Sequence, residues 1–302
     1  METTIEPQPQ LGDVLRAYLQ LAKLRIVLLL CFTTVTAMIV AANGLPSIEI
    51  LIPTIIGGAL AAGGSSAINQ YVDRDMDAKM TRTARRPIPS GRIAPINALI
   101  FGIALVVWSV LVIGIWVNWL AAFLALGGAL YYVVIYTVLL KRNTVVNILI
   151  GGGAGAMPVL VGWAAVSNSL AIDAFLMFAI VFYWTPPHSW ALALLVNSDY
   201  ARAEVPMMPV AKGEDVTRYQ ILLYSIQLLL ISLIPYVFGT FSIIYFIGAV
   251  LLGLGLVRIS AILIKVADKA TARRAYKFST AYLAFLFLLM IIDRLVSTVA
   301  LL

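Results

Sequence analysis

Charged side chains are scarce in this sequence: 12% of its 302 residues, about half the share of a soluble domain. Cysteine is scarcer still. The single one, Cys31, excludes an intrachain disulfide framework and any multi-cysteine metal centre. Set in an apolar run, it reads as a small buried side chain. The opening METTIEPQPQ has no basic stretch ahead of the first apolar run, so that run is expected to stay as a span rather than be cleaved as a signal peptide. What fills the chain instead is apolar: 62% hydrophobic residues and a mean hydropathy of +0.99. A single water-soluble core cannot hold that composition, and the membrane class follows before any motif is read.

A membrane-crossing helix needs roughly 20 mostly apolar residues. Nine runs meet that length: 26–42, 48–68, 94–117, 119–140, 145–166, 172–196, 220–238, 242–264 and 278–299. The connections between them alternate. The first, third, fifth and seventh are short and carry no Lys or Arg. The N-terminal segment, the even-numbered connections and Arg258, toward the end of the eighth run, account for all but Arg294 of the 21 basic residues. Basic loops stay on the cytoplasmic side, which puts the N-terminus inside and the C-terminus outside. Topology thus accounts for the net charge of +7, and nucleic acid is not needed as a partner. Glycines cluster in the second run (Gly57, Gly58, Gly63, Gly64) and the fifth (Gly151, Gly152, Gly153, Gly155). They suit close helix approach in lipid, and packing alone explains them.

The second run leads into NQYVDRDMDAKMTRTARRPIPSGR. Asn69, Asp73 and Asp77 recur at i, i+4 and i+8, which on a helix places them within about 80° of one another. Asp75 points away. Two carboxylates and an amide oxygen on one face suit Mg²⁺, a hard cation that leaves part of its shell to water and phosphate. Arg82, Arg85 and Arg86 follow at once, and guanidinium forks match phosphate oxygens. The plainer reading of such a charge run is a solvated face with local ion pairs. Against it stands the cost of starting an acidic motif inside a span, which marks such groups as functional. Metal ligands beside arginines describe a polyanion site; a cation-transport site would need the acids without the arginines.

A second loop on the same side carries Asp199, Tyr200, Arg202, Glu204 and Lys212. With the first it forms two acid-and-arginine loops able to face one cavity, and paired metal clusters can neutralise both phosphates of a diphosphate. His188 lies inside the sixth run, behind Pro186 and Pro187 and between Trp184 and Trp190. Its plain reading is a buried ring bonded to a carbonyl freed by the prolines. Its functional reading is a ligand to haem iron or a proton acceptor. Tyr136, Thr137, Lys141, Arg142, Thr144 and Asn147 cross from the fourth run to the fifth. Lys141 and Arg142 read as substrate contacts or as topology anchors. Tyr131, Tyr132 and Tyr136 read as π faces for a carbocation or as an interfacial belt.

These motifs resemble the UbiA superfamily of membrane prenyltransferases, over about residues 15–295. The pattern N-x-x-x-D-x-x-x-D-x-x-M-x-R-T-x-x-R-P is met at Asn69, Asp73, Asp77, Met80, Arg82, Thr83, Arg86 and Pro87. The T-P-P-H segment (Thr185–His188), W-A-L-A-L from Trp190, Asp199–Tyr200 and P-M-x-P-V from Pro206 resemble the haem-modifying branch. Tyr136–Thr137 with Lys141–Arg142 and the Gly-rich fifth run ending in Met157–Pro158 are similar too. There are departures. Ala203 stands where the second loop often has another acid, Lys23-Leu24-Arg25 stands for K-P-R, and Glu204 replaces a small residue.

The resemblance implies an all-α membrane protein: about nine helices in a UbiA-type bundle around a central cavity open to the cytoplasmic face. Residues 1–25 would be a cytoplasmic segment and 26–299 one transmembrane prenyltransferase domain in a bacterial plasma membrane. It implies farnesyl diphosphate and haem B as substrates, haem O as product, and Mg²⁺ as cofactor. Asn69, Asp73, Asp77 and Asp199 would hold metal, and Arg82 and Arg86 would assist the reaction. His188, Lys141, Arg142, Tyr136, Asn147, Arg202 and Lys212 would bind substrate. The product would pass to a haem A synthase or a terminal-oxidase assembly. Three alternatives remain open from the residues: prenylation of an aromatic or quinone precursor, a nine-span secondary transporter, and an assembly subunit without turnover.

Overall fold

A bilayer core offers no water to backbone N–H and C=O groups, so apolar runs there fold as helices that satisfy their own ladders. The computed structural model describes residues 10–299, and the described residues are helical throughout, joined by short turns. The Pro/Gln-rich start, residues 1–9, and residues 300–302 lie outside the described residues. In chain order the helices are α1 (Leu11–Ala22), α2 (Leu24–Ala42), α3 (Ile48–Val72), α4 (Arg74–Lys79), α5 (Pro95–Trp116) and α6 (Trp119–Leu130). A π-helical segment, Tyr131–Leu140, continues α6. Then come α7 (Asn147–Ser167), α8 (Ile172–Leu195), α9 (Asn197–Arg202), α10 (Met208–Lys212), α11 (Glu214–Val237), α12 (Ile243–Val266) and α13 (Lys269–Val299).

Among the described residues, eight helices are long and apolar enough to cross a membrane. The expected count was nine. The difference is α8, which has the length but carries Thr185, Pro186, Pro187, His188 and Ser189 in its second half. Its neighbours are α7, α11 and α13, and Trp184, Pro186, Pro187 and Trp190 are buried. A helix shielded by protein can carry polar groups that a lipid-facing one cannot. Each long helix packs on its successor, and α13 returns onto α2 to close the ring. Lipid-facing side chains such as Ile100, Ile103, Val107 and Trp108 of α5 remain exposed. Where α3 crosses α5, a Cβ on Gly64 would meet the Gly102 carbonyl at 2.6 Å, the close approach that small residues permit.

The segment before the first span is not a simple tail. α1 packs Ala17 and Leu21 with Ala67, Ile88, Ile93 and Ala98, and a side-chain amide ties it down: Gln70 Nε2 donates to the Leu21 carbonyl at 2.8 Å. Leu11, Leu15 and Leu19 stay exposed along one side. At Lys23 the backbone enters the left-handed region, φ 52°, and turns the chain from α1 into α2. That turn places Lys23 in the lining of the cavity described below. At the far end, Asp293 of α13 reaches the start of α12, where it accepts from the backbone N–H groups of Ser242 and Tyr245 at 3.0 and 3.1 Å.

Candidate active site

The i, i+4, i+8 row survives the junction between α3 and α4. Asp73 N–H donates to Asn69 O at 2.9 Å and Asp77 N–H to Asp73 O at 2.7 Å, so one ladder carries all three residues. Asn69, Asp73 and Asp77 are each no more than 2% exposed, while the Asp75 side chain is 62% exposed. Asn69 Nδ2 donates to Asp73 Oδ2 at 2.7 Å and to Thr137 Oγ1 at 3.1 Å. Lys141 Nζ pairs with Asp73 Oδ2, and Arg86 Nη1 pairs with Asp77 Oδ2 at 2.6 Å. The buried row thus alternates with cations drawn from two other segments.

The π-helical segment explains how Lys141 gets there. Lys141 N–H donates to Tyr136 O, five residues back, at 2.8 Å, and Thr137 Oγ1 bonds Tyr132 O at 2.8 Å. Widened turns of this kind gather at functional sites. Asn147, fully buried, donates to the Thr144 carbonyl at 2.7 Å and holds the turn beneath Lys141. Arg142 goes elsewhere. Its guanidinium takes both oxygens of Asp75 at 2.8 and 2.9 Å and approaches Asp73 Oδ1 only at 3.8 Å. That fork holds the Asp75 carboxyl down at about 2. Lys23, the first residue of the Lys23-Leu24-Arg25 departure, donates to Asn69 Oδ1 at 3.3 Å. Burial, then the Arg86 and Lys141 charges, pull its ammonium down to about 7.

The second loop meets the first. The Arg82 backbone N–H donates to Asp199 Oδ2 at 3.4 Å. Arg202 pairs with Asp199 and donates to the Lys79 carbonyl at 2.9 Å and Thr81 Oγ1 at 2.8 Å, so it staples the loops together. Arg82 and Lys212 are exposed at the rim. Glu204 does not replace the missing second acid: it is exposed and sits at φ 56°. A left-handed conformation costs an L-residue roughly 1–2 kcal/mol. Glu204→Gly is therefore expected to stabilise the protein by about 1 kcal/mol, read as a raised melting temperature with turnover unchanged.

Among the described residues, no three His, Cys, Asp or Glu side chains converge as a metal cage, and Asp199 is not grouped with Asp73 and Asp77. The donors that do share a face are two carboxylates and one amide oxygen, and Asp73 Oδ1 is buried without a hydrogen-bond partner. That set fits a hard divalent cation which completes its shell with water or phosphate oxygens. It does not fit an all-protein site.

Behind the polar row lies a cavity of about 400 Å³, lined by Lys23, Tyr132, Tyr136, Trp184, Thr185 and His188 among mostly apolar side chains. Tyr132 and Tyr136 stack at 5.5 Å between centroids. The fifth-run glycines prove to be more than helix spacers: a Cβ on Gly151 would lie 2.3 Å from the Tyr136 ring, and one on Gly153 would crowd Tyr131. Tyr131 donates to the Ile150 carbonyl and does not line the cavity. His188 does not bond a proline-freed carbonyl. α8 runs on through Pro186 and Pro187, and Nδ1 of His188 sits 2.8 Å from Ser279 Oγ of α13. Ser279 is a partner that the sequence did not mark, and the sequence did not place Lys23 or Thr137 against Asn69, because each meets its target from a distant helix.

The model of the UbiA prenyltransferase family matches residues 30–289. The chain belongs to the UbiA prenyltransferase family. As a member of that family with eight apolar spans, it is an integral, multi-pass membrane protein. It is 50% identical over 292 residues to the protoheme IX farnesyltransferase of Chloroflexus aurantiacus, covering 97% of this chain and 50% of that one. It is 49% identical over 288 residues to the protoheme IX farnesyltransferase of Symbiobacterium thermophilum, covering 94% and 96%. The chain thus spans about half the length of the first relative and nearly all of the second. Among solved structures, a digeranylgeranylglyceryl phosphate synthase superposes with a TM-score of 0.78 at 19% identity, over 94% of this chain and 99% of that one. A UbiA homolog from Archaeoglobus fulgidus bound to DMAPP and Mg²⁺ gives 0.64 at 17% identity, over 90% and 98%. These structures share the family's fold.

Proposed function

We propose that the chain transfers a farnesyl group from farnesyl diphosphate to a vinyl group of haem B, with addition of water, giving haem O and diphosphate. The observation that carries the reading is the link made by Lys23, which donates to Asn69 of the buried acid–amide–cation row and also lines the apolar cavity whose wall includes the only histidine. The relatives' names agree with this acceptor. Asn69, Asp73 and Asp77 would hold Mg²⁺, with Asp199 presented from the facing loop. When bound, the ion supplies neutralisation of the departing diphosphate. A neighbour of the same fold binds Mg²⁺ together with a prenyl diphosphate.

The residues act as follows. Lys141 and Arg86 stand beside the carboxylates, where their donors can serve phosphate oxygens, while Lys23, Arg82 and Lys212 add positive charge around them. The C1–O bond of the farnesyl donor breaks, and its electron pair leaves on diphosphate. Tyr132 and Tyr136 present ring faces to the allylic cation, and the apolar lining keeps water from it. The vinyl carbon bonds to C1, water adds to the resulting cation, and a proton is released. Asn147 holds the Lys141 turn in place. Arg142 and Arg202 shape the mouth through Asp75 and Asp199.

His188 binds haem through its iron. His188→Ala is expected to weaken haem binding about tenfold or more, a loss of at least roughly 1.4 kcal/mol. Farnesyl diphosphate affinity should not change; an unaltered haem titration in this variant removes the role. The site opens on the cytoplasmic face of the plasma membrane, because its mouth is built from the basic connections. Haem O then passes to a haem A synthase or terminal-oxidase assembly. The deciding experiment incubates purified protein with haem B, farnesyl diphosphate and Mg²⁺ and weighs the haem product. A haem mass increased by farnesyl plus water supports the reading, and an unmodified haem beside a prenylated aromatic acceptor replaces it.

A further inference from the structure

His188 lines the cavity, and a residue of another helix settles which ring nitrogen carries the proton. Nδ1 lies 2.8 Å from Ser279 Oγ. Ser279 Oγ in turn lies 2.8 Å from the Tyr276 carbonyl, to which it donates. A hydroxyl has one proton to give and two lone pairs to receive with. Two arrangements follow. In one, Ser279 donates to the Tyr276 carbonyl and accepts from Nδ1–H, so both bonds form and Nε2 keeps a bare lone pair. In the other, Ser279 spends its proton on Nδ1, the bond to Tyr276 is lost, and an Nε2–H is left against the cavity wall. His188 makes no other hydrogen bond among the described residues. The first arrangement therefore has one bond more. It also strands a lone pair rather than an N–H, and buried N–H groups without acceptors are the rarer case. The Tyr276 carbonyl also receives the Thr280 hydroxyl at 3.1 Å, so it is served in either arrangement and the difference falls on the histidine.

The ring cannot readily turn over to exchange its nitrogens. Trp184 stacks on one side with centroids 4.2 Å apart, and the Tyr276 ring stands 4.7 Å away. The Trp184 indole N–H donates to the backbone carbonyl of Ser279 at 2.6 Å. Ser279, 1% exposed, thus holds both the imidazole and the aromatic plate against it.

We infer that Ser279 is a positioning residue that fixes His188 as the Nδ1–H tautomer, so that Nε2 meets the cavity as a lone-pair donor and not as a proton donor. This is the form that ligates an iron centre, and the use of a second group to set it is the usual device at metal-binding histidines. The purpose rests on haem as the acceptor; the tautomer itself stands on the hydrogen bonds alone.

The single histidine makes the test clean. With ¹⁵N-histidine label, the full chain in lipid yields only two ring-nitrogen signals by solid-state NMR. The expected wild-type spectrum at neutral pH shows a protonated Nδ1 and an unprotonated Nε2. Ser279→Ala should move the proton to Nε2, and Ser279→Thr, which keeps a hydroxyl, should restore the wild-type pattern. Titrated with haem B, wild type and Ser279→Thr should give the same iron-ligation spectrum, and Ser279→Ala should bind about tenfold more weakly. A wild-type Nε2–H, or a tautomer unchanged in Ser279→Ala, overturns the inference. The expected tautomer shifts without any haem spectrum would uphold the lock and defeat the haem reading instead.

Discussion

Asp73→Ala is expected to lower turnover by about 10³-fold or more, the scale seen when a group that stabilises transition-state charge is removed from a buried site. Two losses combine. The variant removes a carboxylate whose Oδ1 is buried without a hydrogen-bond partner, the strongest candidate for a metal bond. It also strips Lys141 of its counter-ion, leaving an ammonium only 14% exposed beside Lys23 and Arg86. Breaking one partner out of a buried pair costs roughly 3–5 kcal/mol, so folding must be watched alongside rate. Asp73→Asn keeps the shape and an acceptor oxygen for Lys141 and Asn69, so it should lose less stability than Asp73→Ala and still fail to turn over. Turnover measured against Mg²⁺ decides the matter. Full activity of Asp73→Ala at limiting Mg²⁺ would remove Asp73 from the metal site.

Asp293→Ala is expected to destabilise the chain by about 3 kcal/mol while leaving the chemistry of surviving protein intact. Asp293 is 2% exposed in α13 and serves the first turn of α12, accepting from Ser242 N–H, Tyr245 N–H and the Ser242 hydroxyl. Helix starts leave such N–H groups without partners. Hydrogen bonds to a charged acceptor are worth about 1.5–3 kcal/mol each, and a lost cap alone costs about 0.5–2 kcal/mol. Asp293→Asn, which still accepts, should recover about half of the loss on these scales. Thermal unfolding of detergent-solubilised protein measures both. Equal stability of wild type and Asp293→Ala would show that Ser242 caps α12 unaided, through its own bond to Ile244 N–H.

The sequence revealed what depends on short-range periodicity. Asn69, Asp73 and Asp77 share a face because a helix repeats, and the unbroken ladder at Asp73 and Asp77 keeps that repeat through the α3–α4 junction. The exclusion of Asp75 followed from the same geometry. Long-range partners were not legible. Lys23 meets Asn69 across 46 positions and His188 meets Ser279 across 91, and no local pattern encodes either meeting. The π-helical turn before Lys141 left no mark, since one widened turn does not alter hydropathy. Arg142 and Arg202 looked like substrate cations because their residue type fits phosphate; the fold gives them Asp75 and Asp199 instead. The counts of nine and eight differ at α8 alone, whose polar second half lowers its hydropathy. Hydropathy assumes a lipid neighbour, and the neighbours of α8 are protein.

The closure of the ring by α13 onto α2 also sets an order of assembly. Chains emerge from the N-terminal side and begin to fold in that order. The row from Asn69 to Asp77, with Lys23 and Lys141, draws only on segments made before α7, so the diphosphate end can take shape early in synthesis. The His188 end waits for Ser279 and Tyr276, which lie on the last helix. A nascent chain stalled before α13 would hold a formed anion pocket and an unfinished acceptor wall, ready for the prenyl donor yet unable to seat its partner.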